Sequence, residues 1–184
     1  EEWSVGNGKL SFGGRLGRSQ VDCEGDAPGQ SQFGPPQSRS FTPGSAALGG
    51  LLNLTPEWQL TGNVAYTERA PTFYELYANG VHIATAAYER GDKTLPVESS
   101  RHVELGAGWA SGPHHVKASL FSTRFSRFIS LDATGADIVV PGEGGEPDSL
   151  VPVLRSGVRG RLAPVLRLPC RARVGTARCP RASR

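Results

Sequence analysis

The sequence predicts an all-β fold: a partial antiparallel transmembrane β-barrel of about five long strands, with short turns at one end, long loops at the other and an irregular basic tail. Three observations predict it. Apolar and polar residues alternate with period two over runs of about 10–16 residues, against about 5–6 for ordinary soluble strands. A strand that crosses an outer membrane at a tilt needs about 9–11 residues. Short and long connections also alternate strictly along the chain, whereas most loops of compact soluble domains are short.

Composition narrows the alternatives. The 184 residues include 24 Gly and 14 Pro, which disfavours a helical bundle. No apolar run approaches the ~18 residues of a membrane helix, and no secretory leader is visible. The chain has no Met, so a piece of a longer product is expected.

The first candidate strand spans residues 9–22, with Leu10, Phe12 and Leu16 against Lys9, Ser11 and Arg15. The second, 45–54, places Ala46, Leu48, Gly50, Leu52 and Leu54 on one side. From Trp58 the third alternates Trp58, Leu60, Gly62, Val64 and Tyr66 with Gln59, Thr61, Asn63, Ala65 and Thr67. The fourth opposes Val103, Leu105, Ala107 and Trp109 to His102, Glu104, Gly106 and Gly108. The fifth, 114–129, begins with Val116, Ala118 and Leu120 against His115, Lys117 and Ser119. One apolar and one polar face per strand is the pattern of a barrel wall between lipid and a wet interior.

Thr55-Pro56-Glu57 and Ser111-Gly112-Pro113 are short turns built from turn-forming residues. Residues 23–41, 69–98 and 130–149 read as long polar loops. Trp58 follows one short turn and Trp109 precedes the other, so both are expected at one level. Tyr66 lies eight residues further along the same face. At ~3.3 Å per residue and a ~45° tilt the separation is roughly 19 Å, close to the ~25 Å apolar band of such barrels. Trp58, Tyr66 and Trp109 are therefore expected to be membrane-interface aromatics.

The net charge of +3 conceals a division. Residues 1–150 hold 11 Lys and Arg and 17 acids, net −6, while residues 151–184 hold 9 Arg with neither Lys nor acid. Two domains follow as an expectation: 1–150, the partial barrel, and 151–184, an Arg/Pro-rich tail read as disordered and out of frame. The tail's arginines are separated by Leu, Val and Pro rather than by Lys and aromatics, so no nucleic-acid partner is expected. Cys23 stands alone, and Cys170 and Cys179 have no standard metal or redox spacing.

The run Tyr66-Thr67-Glu68-Arg69-Ala70-Pro71-Thr72-Phe73-Tyr74-Glu75-Leu76-Tyr77 resembles the segment by which a strand of a TonB-dependent outer-membrane receptor exits into an outer loop. The likeness covers about residues 54–129. Within it, His82-Ile83-Ala84-Thr85, Tyr88-Glu89 and Gly91-Asp92 most resemble the zinc-uptake branch. The resemblance implies a 22-stranded barrel with an N-terminal plug, placed in the cell outer membrane among its lipids. It also implies energy supplied through the TonB complex to the full-length receptor and uptake of a scarce nutrient, zinc or a metal chelate such as haem. This chain departs from that pattern in lacking a plug, a TonB-contacting segment and most of the strands. Five strands cannot close, and an open sheet edge is not tolerated in lipid, so this chain alone is not expected to transport.

Under this resemblance His82 is the candidate metal ligand, with Glu75, Glu89 and Asp92 as further substrate-binding residues of the outer loop, since imidazole with carboxylates suits zinc. The metal is cargo, and no resident cofactor is expected. Adjacent His114 and His115 point to opposite faces of a strand and do not share a metal. His102 and Glu104 share the polar face at i, i+2. Thr72-x-x-Glu75 is a capping box predicting a short helix that packs the loop on the rim. No nucleophile elbow, phosphate loop or dinucleotide fingerprint is present, so no enzyme is expected. Two rival readings are a soluble β-rich surface binding module and a nucleic-acid binder acting through the basic tail.

Overall fold

The computed structural model describes residues 1–29, 31–142 and 147–159, together with the backbone of 165–167 and 170–173. In chain order the elements are β1 (Glu2–Val5), β2 (Gly8–Leu16), β3 (Ser19–Cys23), β4 (Gln37–Phe41), β5 (Gly44–Asn53), β6 (Trp58–Arg69), α1 (Phe73–Tyr77), β7 (Asn79–His82), β8 (Ala87–Arg90), β9 (Glu98–Ser111), β10 (His114–Val140), β11 (Ser149–Arg159), β12 (Val165–Arg167) and β13 (Cys170–Arg173). One large sheet runs β1-β2-β5-β6-β9-β10-β11-β8-β7, and β12 and β13 also pair with β10. β3 and β4 form a separate two-stranded sheet.

The neighbours β1 through β11 are all antiparallel. Three short turns join β1 to β2, β5 to β6 and β9 to β10, and the register brings all three to one end. Gly8 is opposite Leu52, the Asn53 N–H donates to the Asn7 carbonyl at 3.0 Å, and Trp58 is opposite Trp109. The two-residue turns at Gly6-Asn7 and Gly112-Pro113 each begin with a Gly at φ +55°, a left-handed value that side chains with a Cβ rarely adopt. Thr55 Oγ1 accepts from the N–H groups of Glu57 and Trp58, closing the third turn.

Register also aligns the faces. Phe12, Leu48, Val64 and Val103 form one row, and Leu52, Leu60 and Ala107 another. The large apolar residues of this face are exposed: Leu48, Val64 and Val103 by 46–47%, and Leu105, opposite Gly62 on the row between, by 62%. Trp3 lies on the same face, edge-on to Phe12 at 5.1 Å between ring centres. An apolar face of this breadth, with no other described residues packed against it, is the reverse of a soluble sheet, which buries that face.

The buried cluster lies elsewhere, under the loops at the end away from the short turns. Cys23, Phe41, Leu76, Tyr77, Leu95 and Ile129 form it, with Val21, Phe33, Ala70 and Val97 against them. The chain therefore has a small core at its rim and an unburied apolar wall below.

Three expectations change. Residues 9–22 are not one strand: the chain turns at Gly17, whose N–H donates to the Pro43 carbonyl at 3.0 Å, and Ser19–Cys23 leaves for the β3–β4 sheet. The 23–41 loop therefore contains the returning strand β4. Residues 130–149 are not simply a loop, because β10 runs on to Val140 and pairs with β11, with an irregularity between Ala133 and Asp137 at Gly135, φ +77°. The composition break at 150/151 falls inside β11, and residues as far as Cys170–Arg173 pair with β10. The remainder of the tail, with Cys179, lies outside the described residues.

Candidate functional site

The site is the outer rim, where the connection from β6 to β9 is folded down by its own residues. α1 forms as the capping box requires. The Glu75 N–H donates to Thr72 Oγ1 at 3.4 Å and the Thr72 N–H to the Glu75 carboxylate at 2.7 Å. Leu76 and Tyr77 on its inner side are buried, while Phe73 and Tyr74 face outward. Gly91 closes under the helix: an added Cβ there would lie 2.5 Å from the Leu76 carbonyl carbon.

Arg69, the last residue of β6, ties this helix to the wall. Its guanidinium donates to Glu75 at 2.9 and 3.0 Å and to Glu98 at 3.3 and 3.2 Å. Glu98 is nearly buried and also accepts the Ile129 N–H at 2.9 Å. Burial pushes the Glu75 carboxyl up. The Arg69 hydrogen bonds, the Thr72 N–H and the Arg69 charge together outweigh it and hold the group below the usual carboxylate range.

A second loop, between β3 and β4, is clamped to the first. Asp26 gathers three backbone N–H groups, from Gln32, Phe33 and Gly34, and these hold its carboxyl low, the Phe33 bond most of all. Gln32 and Asn79 exchange side chain to backbone hydrogen bonds. Lys93 donates to the Phe33 carbonyl at 3.0 Å, and Arg39 to the Leu95 carbonyl at 3.0 Å. The two loops are thus one packed unit over the rim.

The hairpin β7–β8 carries the candidate ligand. His82 lies opposite Ala87 at its tip, half exposed, with Nδ1 3.1 Å from Glu89 Oε1. Thr85 donates to the same Glu89 oxygen at 2.8 Å, so one carboxylate oxygen meets both the imidazole and the Thr85 hydroxyl. β8 then pairs in parallel with β11, Tyr88 opposite Val153, adding the hairpin to the upper part of the wall.

Of the four predicted loop residues the structure brings His82 and Glu89 together. Glu75 is held by Arg69 and Thr72. Asp92 is held by Thr94, whose hydroxyl lowers its pKa most, and lies 3.6 Å from Arg155. Among the described residues no group of three or more His, Cys, Asp or Glu is arranged to hold a metal. Trp58 and Trp109 are register partners beside the short turns, and Tyr66 stands near the opposite end of β6, its hydroxyl donating to Glu68 at 2.7 Å. His114 and His115 open β10, directly after the short turn. Sequence reasoning missed Arg69, Glu98 and Asp26. The first two are revealed only by the β6–β9 register, and Asp26 only by the loop that wraps it.

Residues 1–176 match the family described as TonB dependent receptor-like, beta-barrel. The fold is similar to that of the copper transporter OprC, with a TM-score of 0.58 and 16% identity over 84% of this chain and 22% of that one. It is also similar to the siderophore receptor PirA from Pseudomonas aeruginosa, with a TM-score of 0.53 and 18% identity over 89% of this chain and 35% of that one. PirA from Acinetobacter baumannii gives 0.52 and 13% over 93% and 32%. At these identities the likeness is one of fold, and this chain spans about a fifth to a third of the length of those proteins.

Proposed function

The chain belongs to the TonB dependent receptor-like β-barrel family, and from that membership we propose that it forms an arc of the wall of an outer-membrane receptor for a scarce metal or metal chelate. The observation that carries this reading is the exposed apolar face that continues from β1 to β10. Water disfavours such a surface by roughly 25 cal/mol per Å², and lipid does not. The three Trp of the chain all lie on it. Trp58 and Trp109 at the turn end and Tyr66 near the rim fit two interfacial girdles.

The working receptor in this proposal has further strands, because among the described residues β1 is an edge with no second partner, which lipid does not satisfy. Transport then requires the closed barrel, with energy from the TonB complex. The basic run, over its described residues 151–159, belongs in this proposal to the descending strand after the β10–β11 loop. Its pairing to β10 and a family match reaching residue 176 favour that over a shift of reading frame, and sequencing the coding DNA decides.

The cargo class is supported by similar folds in a copper transporter and a siderophore receptor. Zinc in particular is supported by His82, half exposed in the outer loop with its Nδ1 3.1 Å from the Glu89 carboxylate. Remaining ligands would come from water or from other parts of the receptor.

The test is tryptophan quenching in vesicles of lipids brominated along their acyl chains. Strong quenching of Trp3, Trp58 and Trp109, with little effect of aqueous acrylamide, is the expected result. A monomer that stays in water and melts in one cooperative thermal transition would overturn the reading.

A further inference from the structure

A second His–carboxylate pair lies on the polar face of the wall, away from the loop. His102 and Glu104 stand two residues apart on β9, on the face shared with Thr61, Asn63 and Ala65 of β6 and with Thr123 of β10. His102 Nδ1 is 2.8 Å from Thr123 Oγ1, directly across the strand pair. The Phe121 ring lies 6.0 Å away between centres, tilted by 34°. Hydroxyl and ring together fix the imidazole plane. In the tautomer that donates Nδ1–H to Thr123, Nε2 carries the lone pair, and Glu104 Oε2 is 3.7 Å from it. Among the described residues Glu104 has no other ion-pair partner.

We propose that His102 and Glu104 form a divalent-cation subsite of zinc-like preference on the inner wall of the barrel, separate from His82 and Glu89 in the loop. Two ligands of one zinc ion, each at ~2.0–2.2 Å, lie no more than about 4.2 Å apart. A spacing of 3.7 Å therefore admits a shared ion, with an angle at the metal of roughly 130°. Thr123 serves as the partner that orients a metal-binding His through its other nitrogen. Both side chains are partly exposed, so water completes the coordination, and the subsite is weak. Weak binding suits a step from which a cation must leave again. The contrast with His82 is chemical. There the carboxylate orients the ring; here a hydroxyl does, and the carboxylate is left to bind.

The inference rests on the reading of the polar face as the inside of a receptor, but its test needs no transport. The full chain in detergent micelles, selectively labelled at the histidine ring nitrogens, is titrated with Zn2+ alone. His102 is assigned through His102→Gln, and the titration is repeated in His82→Ala to remove the loop site. The expected result is a zinc-dependent shift of His102 Nε2 that persists in His82→Ala. Glu104→Gln should weaken it about tenfold or more, and Thr123→Val should weaken it likewise, while Thr123→Ser retains it. A purely structural role for the pair would leave Zn2+ binding at His102 indifferent to Glu104→Gln. That result, or a His102 signal that does not move with Zn2+, overturns the proposal. Either would leave the lipid-quenching test of the receptor reading standing on its own outcome.

Discussion

Arg69 and Glu98 are register partners at the rim ends of β6 and β9, and the Arg69 guanidinium spans from the Glu98 carboxylate to that of Glu75 on α1. One cation therefore fixes where the 70–97 connection leaves the wall, where it returns and how its helix sits. In Arg69→Met the nearly buried Glu98 loses its counter-charge. Because Arg69 is itself 41% exposed, the expected cost is about 1–3 kcal/mol rather than that of a deeply buried pair. The check is limited trypsin digestion, with faster cleavage after Arg90 and Lys93 than in the parent chain.

The helix is held from below as well. Leu76 is fully buried, so Leu76→Ala should cost about 2–5 kcal/mol of loop stability. Gly91→Ala should be comparably damaging, since its Cβ would strike the Leu76 carbonyl, while Gly13→Ala, with nothing within 4 Å, should be tolerated. Ile83, 93% exposed, should tolerate Ala within ~0.5 kcal/mol. Amide exchange over residues 73–78 separates these outcomes.

Acid should loosen the loop unit. The Glu75 carboxyl is held below its usual value of 4.5, so its stabilising contribution is complete above that pH and fades as pH falls through the lower folded value. Asp26 and Asp92, also held low, act in the same direction. Glu75→Gln should therefore remove a share of the loss between pH 6 and pH 3, not all of it. The near-ultraviolet dichroism of Tyr74 and Tyr77 follows this directly.

Loop binding of zinc should depend on His82 and only indirectly on Glu89. His82→Ala should abolish the loop-site component of Zn2+ binding, while Glu89→Gln, which releases the imidazole, should weaken that component about 10–100-fold. Isothermal titration with Zn2+ distinguishes the two. Equal, small effects would mean that this hairpin is not the zinc contact.

Much of this fold is legible because period two and turn chemistry are local. The β6 and β9 faces, the turns at 54–57 and 112–113, and the Thr72 capping box can each be read within a dozen residues. What escaped was non-local. The split of residues 9–22 depends on Gly17 bonding to Pro43. The continuation of β10 past Ser130 depends on β11, whose Arg159 holds Asp132 at 2.7 Å. Beyond the apolar band both faces of such a hairpin meet water, so alternation no longer marks a strand. The parallel pairing of β8 with β11 joins residues more than sixty positions apart, and no local pattern announces it. At the site, His82 and Glu89 were visible as types near one another. That Glu75 and Asp92 are engaged elsewhere follows only from Arg69 and Thr94.

The most direct test of the central claim, that the apolar face of this wall meets lipid, is one substitution on each side of it. Leu105, 62% exposed, lies on the apolar face of β9, and Asn63, on the opposite face of β6, points the other way. The chain folded in phosphatidylcholine vesicles is unfolded by denaturant as Leu105→Arg and as Asn63→Arg. A wall against lipid predicts that Leu105→Arg costs about 2–4 kcal/mol while Asn63→Arg costs little. An exposed leucine in water would accept Arg at almost no cost, so equal tolerance at the two positions would contradict the account.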